Sequence, residues 1–236
     1  MRYKNLIFDA DHTLINYTAD ERDALKRIFE EIGLKFSDKM LDRCCYLSEF
    51  TWTETGLYDV KNERIQREYH NLYKTHLDLL FTRIFTEFPC SFSPIRAGEL
   101  LLKYLKDGTN SISHAEETIK KLKTEKGYNI YIATNGLIDI QVGRLKRFAP
   151  YLDGLFISEE LKEIKPNPLF FKKILERLNC TVKECLMIGD SLLSDIAGAD
   201  GVGMDSCWFN PKSKENQSGT KPRYEIKDLT DLLQIL

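Results

Sequence analysis

The amino-acid sequence predicts an α/β protein of the doubly wound class, a parallel sheet with helices packed against it, carrying an all-helical insertion after its first strand. Two observations predict the sheet. Short apolar runs recur along the chain, and each is followed by turn residues or by a helical pattern of apolar positions. A third predicts the insertion: from residue 17 to about 106, amphipathic helical patterns follow one another with no strand signal between them.

Taken in order, NLIF at 5–8 reads as a short buried strand. The helical block then holds the amphipathic stretches ADERDALKRIFEEIGL, ERIQREYHNLYKTHL and IRAGELLLKYL. It closes at the turn-like DGTNSIS of 107–113, which divides the chain into a core of residues 1–16 and 107–236 and an inserted unit of 17–106. Beyond it HAEETIKKLK (114–123) predicts a helix, NIYIAT (129–134) a strand, GLFIS (154–158) a strand and PLFFKKILERL (168–178) a helix. ECLMIG (184–189) and GMDSCWF (203–209) predict further strands, and DLTDLLQIL (228–236) a closing helix. The polar segment NPKSKENQSGTKP at 210–222 is expected to be a flexible surface loop. No internal repeat or low-complexity tract is evident.

The 236 residues are 42% hydrophobic and 30% charged, which suits one generous α/β domain or a core with a smaller insert. Lysine and arginine number 34 against 36 aspartates and glutamates, a net charge of -2 that carries no global bias toward a nucleic-acid polymer or an anionic membrane. The apolar run before Asp9 is too short for a signal peptide, and no stretch approaches the ~20 residues of a membrane span, so a cytosolic (cytoplasmic) location is the default expectation. Six cysteines include no CxxC and the four histidines are scattered, so reduced thiols are expected rather than a zinc or disulfide framework.

The chemistry concentrates where strands end. In open α/β sheets ligands bind beyond the carboxyl ends of the strands. There the sequence places Asp9, Asp11 and Thr13, then Thr134, Asn135 and Gly136, then Lys165, and finally Asp190, Ser191 and Asp195. Asp9 and Asp11 stand at i and i+2, a spacing that brings side chains together on an extended segment and apart on a helix. Adjacent carboxylates repel, and the common reasons to accept that repulsion are a bound cation or a proton used in catalysis.

Each group also has a plainer reading. An EF-hand loop would need Gly where Leu14 stands and Glu where Asp20 stands, so that reading fails. Thr134 and Asn135 could cap a helix beginning near Leu137, and Asp190, Ser191 and Asp195 could be helix-start residues. Lys165 could be a solvated loop charge, although a cation ahead of the helix that starts at Pro168 opposes its dipole unless an anion lies between. Together, acids, a hydroxyl, an amide and a lysine on one sheet edge weaken the plain readings.

In order and spacing, DADHT, ATNG, EIKPNP and GDSLLSD resemble the four-motif signature of the haloacid dehalogenase superfamily of aspartyl-nucleophile hydrolases, and the helical block matches its α-helical cap. The resemblance implies a Rossmann-like core and a set of roles. Asp9 would be the nucleophile and Asp11 the general acid and base. Thr134, Asn135 and Lys165 would hold the phosphoryl group. Asp9, the Asp11 carbonyl and Asp190 would ligate magnesium (Mg2+), with Asp195 supporting the metal or its waters. The chain departs from the pattern at His12, where Gly is common, which bears on whether that turn needs a positive φ.

Within the superfamily, dehalogenases use a lone nucleophilic aspartate and no metal, so Asp11 and Asp190 favour phosphoryl chemistry. A phosphomutase of the β-phosphoglucomutase type carries the same acids, and a non-catalytic binding protein on the same fold is a further alternative. GMDSCWFNP with PRYEIKDLTDLL is similar to the branch of pyrimidine 5'-nucleotidases, which implies a nucleotide phosphomonoester as the small-molecule partner. The other alternative is a small sugar-phosphate or phosphoglycolate phosphatase. A monomer or weak oligomer is expected. In the cap, Phe50, Trp52, Tyr58, Tyr69, Tyr73 and Phe81 are candidates to stack a base, against an ordinary role in the cap core.

Overall fold

A strand with no exposed residue is best satisfied at the centre of a sheet covered on both faces, and Asn5–Phe8 (β1) lies there, buried along its whole length. The structure, a computed structural model, describes residues 2–236. After β1 come α1 (Tyr17–Glu31), α2 (Asp38–Glu54), α3 (Glu63–Glu87) and α4 (Pro94–Lys106). Then follow α5 (Ala115–Thr124), β2 (Asn129–Thr134), α6 (Ile138–Arg144), β3 (Gly154–Ile157), α7 (Ser158–Leu161), α8 (Pro168–Leu178) and β4 (Cys185–Gly189). A wide π turn (Leu192–Ile196), α9 (Ala197–Val202), β5 (Asp205–Phe209), β6 (Tyr224–Ile226) and α10 (Leu232–Ile235) complete the chain.

The strands form one parallel sheet in the order β3-β2-β1-β4-β5-β6. The chain builds outward from β1 to β3, then returns to lay β4 on the other side of β1. The crevice beyond the carboxyl ends of β1 and β4 is therefore the topological switch point, where a doubly wound sheet binds its ligands.

Alternation along β1 divides the core. Leu6 and Phe8 face a cluster with Ile130, Ile132, Leu186 and Ile188 that α5 closes through Ile119 and Leu122. Ile7 faces the other side, with Ala133, Met187 and the α8 residues Phe170, Phe171 and Ile174. The long helices α1 to α4 build a separate core around Phe29, Leu80, Phe81, Ile84, Leu101 and Leu105. Burying each such side chain contributes ~1.5–3 kcal/mol, which gives the helical block an interior of its own. Caps fix where its helices begin. Asn16, Ser37, Asn62 and Ser93 each accept a backbone N–H from the first turn of α1, α2, α3 and α4 respectively. A smaller cluster of Leu57, Val60, Ile65 and Tyr69 packs on Ile164, joining the block to the loop that carries Lys165.

The structure refines three expectations. The edge strand β6 has only three residues, too short to stand out in sequence. The closing helix is split, with a 3-10 turn at Leu229–Asp231, capped by Asp228, ahead of the short α10. Helix α3 runs well past Leu77, to Glu87. No disulfide links the described residues, and no helix among them is long and apolar enough to cross a membrane.

Candidate active site

The Asp9 N–H donates to the Ile188 carbonyl (2.8 Å), so the ladder between β1 and β4 continues one residue past β1 and fixes the Asp9 backbone at the switch point. The chain then curls around the Ala10 carbonyl, which accepts from the N–H groups of Leu14 and Ile15 (2.9 Å each). This turn does need a positive φ: His12 takes +62°. A left-handed backbone costs a non-glycine residue about 1–2 kcal/mol. The His12 N–H bonded to the Ile15 carbonyl at 2.7 Å, together with edge-on packing of its ring on Tyr17, helps hold it.

Lys165 is 1% exposed, so it is no solvated loop charge. Its Nζ points back under the sheet edge and donates to Asp9 (2.6 Å), Asp195 (2.7 Å) and the Ala133 carbonyl (2.7 Å). Those bonds use all three ammonium protons. Although burial opposes its charge, Asp195 and Asp9 outweigh burial and raise its pKa.

Asp9, Asp190 and Asp195 bring one oxygen each to within 4.8 Å of one another. Three carboxylates thus face one ammonium, and the imbalance shows in their protonation. Burial pushes Asp9 up to about 7; Lys165 opposes that rise, while Asp195 and Asp11 add to it. Asp190 is driven well above the carboxylate range by burial, then by Asp9 and Asp195. Asp195 has one oxygen on Lys165 and the other on the Ser191 N–H (3.1 Å). The Asp190 carboxylate accepts no hydrogen bond from another described residue; its backbone is held instead, N–H to Thr13 Oγ1 (3.1 Å) and carbonyl to Trp208 Nε1 (2.9 Å). An all-oxygen donor set with excess negative charge fits a hard divalent cation. Gly189 makes the cluster possible, since a Cβ there would lie 2.2 Å from Asp195 Oδ2.

Of the expected phosphate ligands, Thr134 stands at the end of β2, buried, accepting from Gln141 Nε2 (2.9 Å) with its own proton free to donate. The Asn135 side chain is engaged on the Lys165 backbone. Its Oδ1 accepts from the Lys165 N–H (2.8 Å) and its Nδ2 donates to the Lys165 carbonyl (3.0 Å), a two-point clamp that sets the lysine loop. Neither residue caps α6. Leu137 occupies that position, and the Ile138 N–H is met by Glu159 (2.8 Å). Ser191 does serve as a cap, accepting from the Ser194 N–H (3.2 Å).

Asp11 lies above this cluster, partly exposed. Its Oδ2 accepts from Gln141 Nε2 (2.7 Å) and its Oδ1 from Arg144 Nη1. Burial works to raise its pKa, but Arg144 and Gln141 prevail and it is lowered. Gln141 and Arg144 are the site residues that sequence reasoning missed. They are the buried residues of α6, an amide and a guanidinium at i and i+3 on the helix that follows ATNG. A short helix whose inward face is polar is the signal that could have found them.

The sheet edge thus presents a buried carboxylate beside a lysine, a cation-ready cluster, a free hydroxyl and a second carboxylate, which equips it for nucleophilic attack on an anionic ester. A model of the haloacid dehalogenase-like hydrolases matches residues 3–203. The chain is 33% identical to the pyrimidine 5'-nucleotidase PynA of Streptococcus pneumoniae, over 100% of this chain and 96% of that protein. It is 30% identical to the pyrimidine 5'-nucleotidase YjjG of Escherichia coli, over 100% and 99%. Among solved structures, the HAD-hydrolase YfnB of Bacillus subtilis, bound to magnesium and showing interdomain movement, superposes with a TM-score of 0.85. It is 28% identical and covered over 100% of this chain and 99% of that one.

Proposed function

The chain belongs to the haloacid dehalogenase-like hydrolases, and from that premise we propose that it hydrolyses phosphomonoesters through an aspartyl phosphate on Asp9, with pyrimidine nucleoside 5'-monophosphates as its substrates. The observation that carries the phosphatase reading is the pairing of buried Asp9 with Lys165 at the switch point, beside a second carboxylate, Asp11, that a lone-aspartate dehalogenase would not need. The full-length similarity to pyrimidine 5'-nucleotidases supports the substrate.

In the first step an Asp9 carboxylate oxygen attacks phosphorus, the P–O bond to the ester oxygen breaks, and Asp11, which must be protonated in the substrate complex against the pull of Arg144, gives that oxygen a proton. In the second, Asp11 takes a proton from water as the water oxygen attacks the same phosphorus, and phosphate leaves Asp9 as a carboxylate. Lys165 opposes protonation of Asp9 and, with the Thr134 hydroxyl, offsets phosphoryl charge. Asn135 positions Lys165, and Asp195 anchors its ammonium. Magnesium, held by Asp9, Asp190 and the Asp11 carbonyl, supplies when bound the positive charge that lets one anion approach another. Chelation is therefore expected to abolish phosphate release and added magnesium to restore it. Asp190→Ala should raise the magnesium needed for half-maximal rate by at least ~10-fold in a metal titration, since even indirect supports of a metal site cost that much.

Residues 17–106 act as the cap and select the leaving group. Burial is the main reason the hydroxyls of Tyr69 and Tyr73 on α3 are held above their usual pKa, and the charge of Asp11 adds to it. Trp52 packs edge-on against both rings and against the exposed Tyr58, whereas Phe50 is exposed and Phe81 is locked in the helical core. Trp52 and Tyr73, both half-buried, form the surface a nucleobase would meet, while Tyr69 backs them from the buried cluster on Ile164. Stacking contributes on the order of 1–3 kcal/mol, so a preference of ~10- to 100-fold in kcat/KM over small sugar phosphates is expected. A phosphate-release screen at fixed magnesium should rank pyrimidine deoxynucleoside 5'-monophosphates above glucose 6-phosphate, β-glucose 1-phosphate and phosphoglycolate. A lead of similar size for a hexose phosphate or phosphoglycolate would overturn the nucleotidase reading and leave the core mechanism standing.

A further inference from the structure

Arg144 is 3% exposed, yet its guanidinium serves two different units of the molecule. Nε and Nη2 both donate to Asp20 Oδ2 (3.1 and 3.0 Å) on α1, the first helix of the inserted block, while Nη1 donates to Asp11. The other oxygen of Asp20 accepts from the Asn110 N–H (2.9 Å) and from Asn110 Nδ2 (3.0 Å). Asn110 lies in the segment that leads from α4 back to the sheet, and Asn16, in the outgoing segment, donates its N–H to the Asn110 carbonyl (3.0 Å). Gly108 lets this returning segment rest on Asp20, because a Cβ there would lie 2.5 Å from the carboxylate. One chain of contacts, Asp11 to Arg144 to Asp20 to Asn110, buried at Arg144 and Asp20, therefore spans both crossings between sheet and helical block.

A purely structural ion pair would not need the third donor on Asp11. Gln141, one turn before Arg144, makes the same point: it directs its Nε2 to Asp11 and Thr134 and leaves its Oε1 buried with no partner. An orphaned buried acceptor is unfavourable, so donation to Asp11 dominates the placement of this side chain. The Tyr17 ring, 5.2 Å from the guanidinium carbon, supports the remaining side of Arg144.

We infer that Arg144 is a positioning residue that, through Asp20, holds the Asp11 carboxyl group in register with the cap, so that the group that passes the proton is in place only while the helical block is seated on the sheet. Its charge favours the ionised form of Asp11; what it supplies to proton transfer is geometry. The inference rests on the reading of Asp11 as general acid given above. A bidentate arginine fixes its partners by geometry as well as charge, and a lysine cannot span the same two carboxylates with a fork. The device therefore predicts a selective defect. Loss of a positioned acid slows expulsion of an alkoxide, which must be protonated as it leaves, much more than expulsion of a stabilised phenolate.

The test compares kcat/KM, which reports only steps up to departure of the leaving group, for 4-nitrophenyl phosphate and for the alkyl phosphate that leads the substrate screen. In Arg144→Lys the alkyl ester is expected to lose ~10- to 100-fold more than the aryl ester, a part of the ~10²–10⁴-fold that general acid catalysis supplies. Asp20→Asn, which preserves side-chain size, is expected to show the same skew at smaller amplitude and carries the test if Arg144→Lys does not fold. Asp11→Asn is the reference. If it shows the skew while the folded Arg144 or Asp20 variant lowers both esters equally or not at all, the positioning role is overturned. If Asp11→Asn itself lacks the skew, the assignment of Asp11 fails, and the inference with it.

Discussion

Asp9→Asn is expected to lower kcat by ~10⁴-fold or more, the scale seen when a covalent nucleophile is removed and only binding and electrostatics remain. An amide oxygen is a poor nucleophile toward phosphorus, and no described side chain stands in the same place: Asp195 is tied to Lys165 and the Ser191 N–H, and Asp11 to Arg144 and Gln141. The substitution preserves shape and removes one of three crowded carboxylates, so the variant should fold and melt near the wild-type temperature. Steady-state phosphate release alongside a thermal melt checks both halves. Substantial turnover by a folded Asp9→Asn variant would exclude the covalent route.

Lys165→Met is expected to fail differently, losing activity and stability together. Removing the ammonium strips Asp9 and Asp195 of their shared buried partner. Breaking such a pair costs about 3–5 kcal/mol. The lower end is expected here, because the two acids left behind can share a proton and so reduce their repulsion. For a chain of this length about 3 kcal/mol corresponds to a fall of ~6–12 °C in Tm. Activity should drop a further ~10²–10³-fold, as when one preorganised electrostatic donor is removed. Calorimetry in the absence of magnesium, paired with kcat, separates this double defect from the purely chemical defect of Asp9→Asn.

The residues that carry these effects were unevenly legible. Apolar runs located β1 to β5 because a parallel sheet buried on both faces demands them, and sheet topology then fixed which residues follow a strand end. Asp9 and Asp190 could be named as candidates from that alone, whereas Lys165 lies in a loop beyond β3 and α7 and its role rested on the resemblance. The edge strand β6 escaped because three residues leave no period to read. Helix α2 was not singled out within the helical block: its buried stripe includes the polar residues Ser48 and Thr51. Side-chain direction was less accessible still. Asn135 is in the expected place, yet its amide is used on the Lys165 backbone, a contact set by a loop thirty positions away in sequence. Gln141 and Arg144 were passed over because polar residues on a short helix ordinarily face water; only the tertiary arrangement turns them onto Asp11 and Asp20. His12 shows the limit of glycine arguments, since the turn has the positive φ that Gly would suit and holds it with histidine.

The most direct test of the central claim is to trap the enzyme during turnover. Acid quench of wild-type protein mixed with saturating substrate and magnesium, followed by proteolysis and mass spectrometry, is expected to find a hydroxylamine-labile phosphoryl group on the peptide carrying Asp9. Borohydride reduction should convert that aspartyl phosphate to homoserine at position 9, and neither product should form in Asp9→Asn. Phosphate release at the wild-type rate with Asp9 unmodified throughout, or a phosphoryl group on a different residue, would contradict the account.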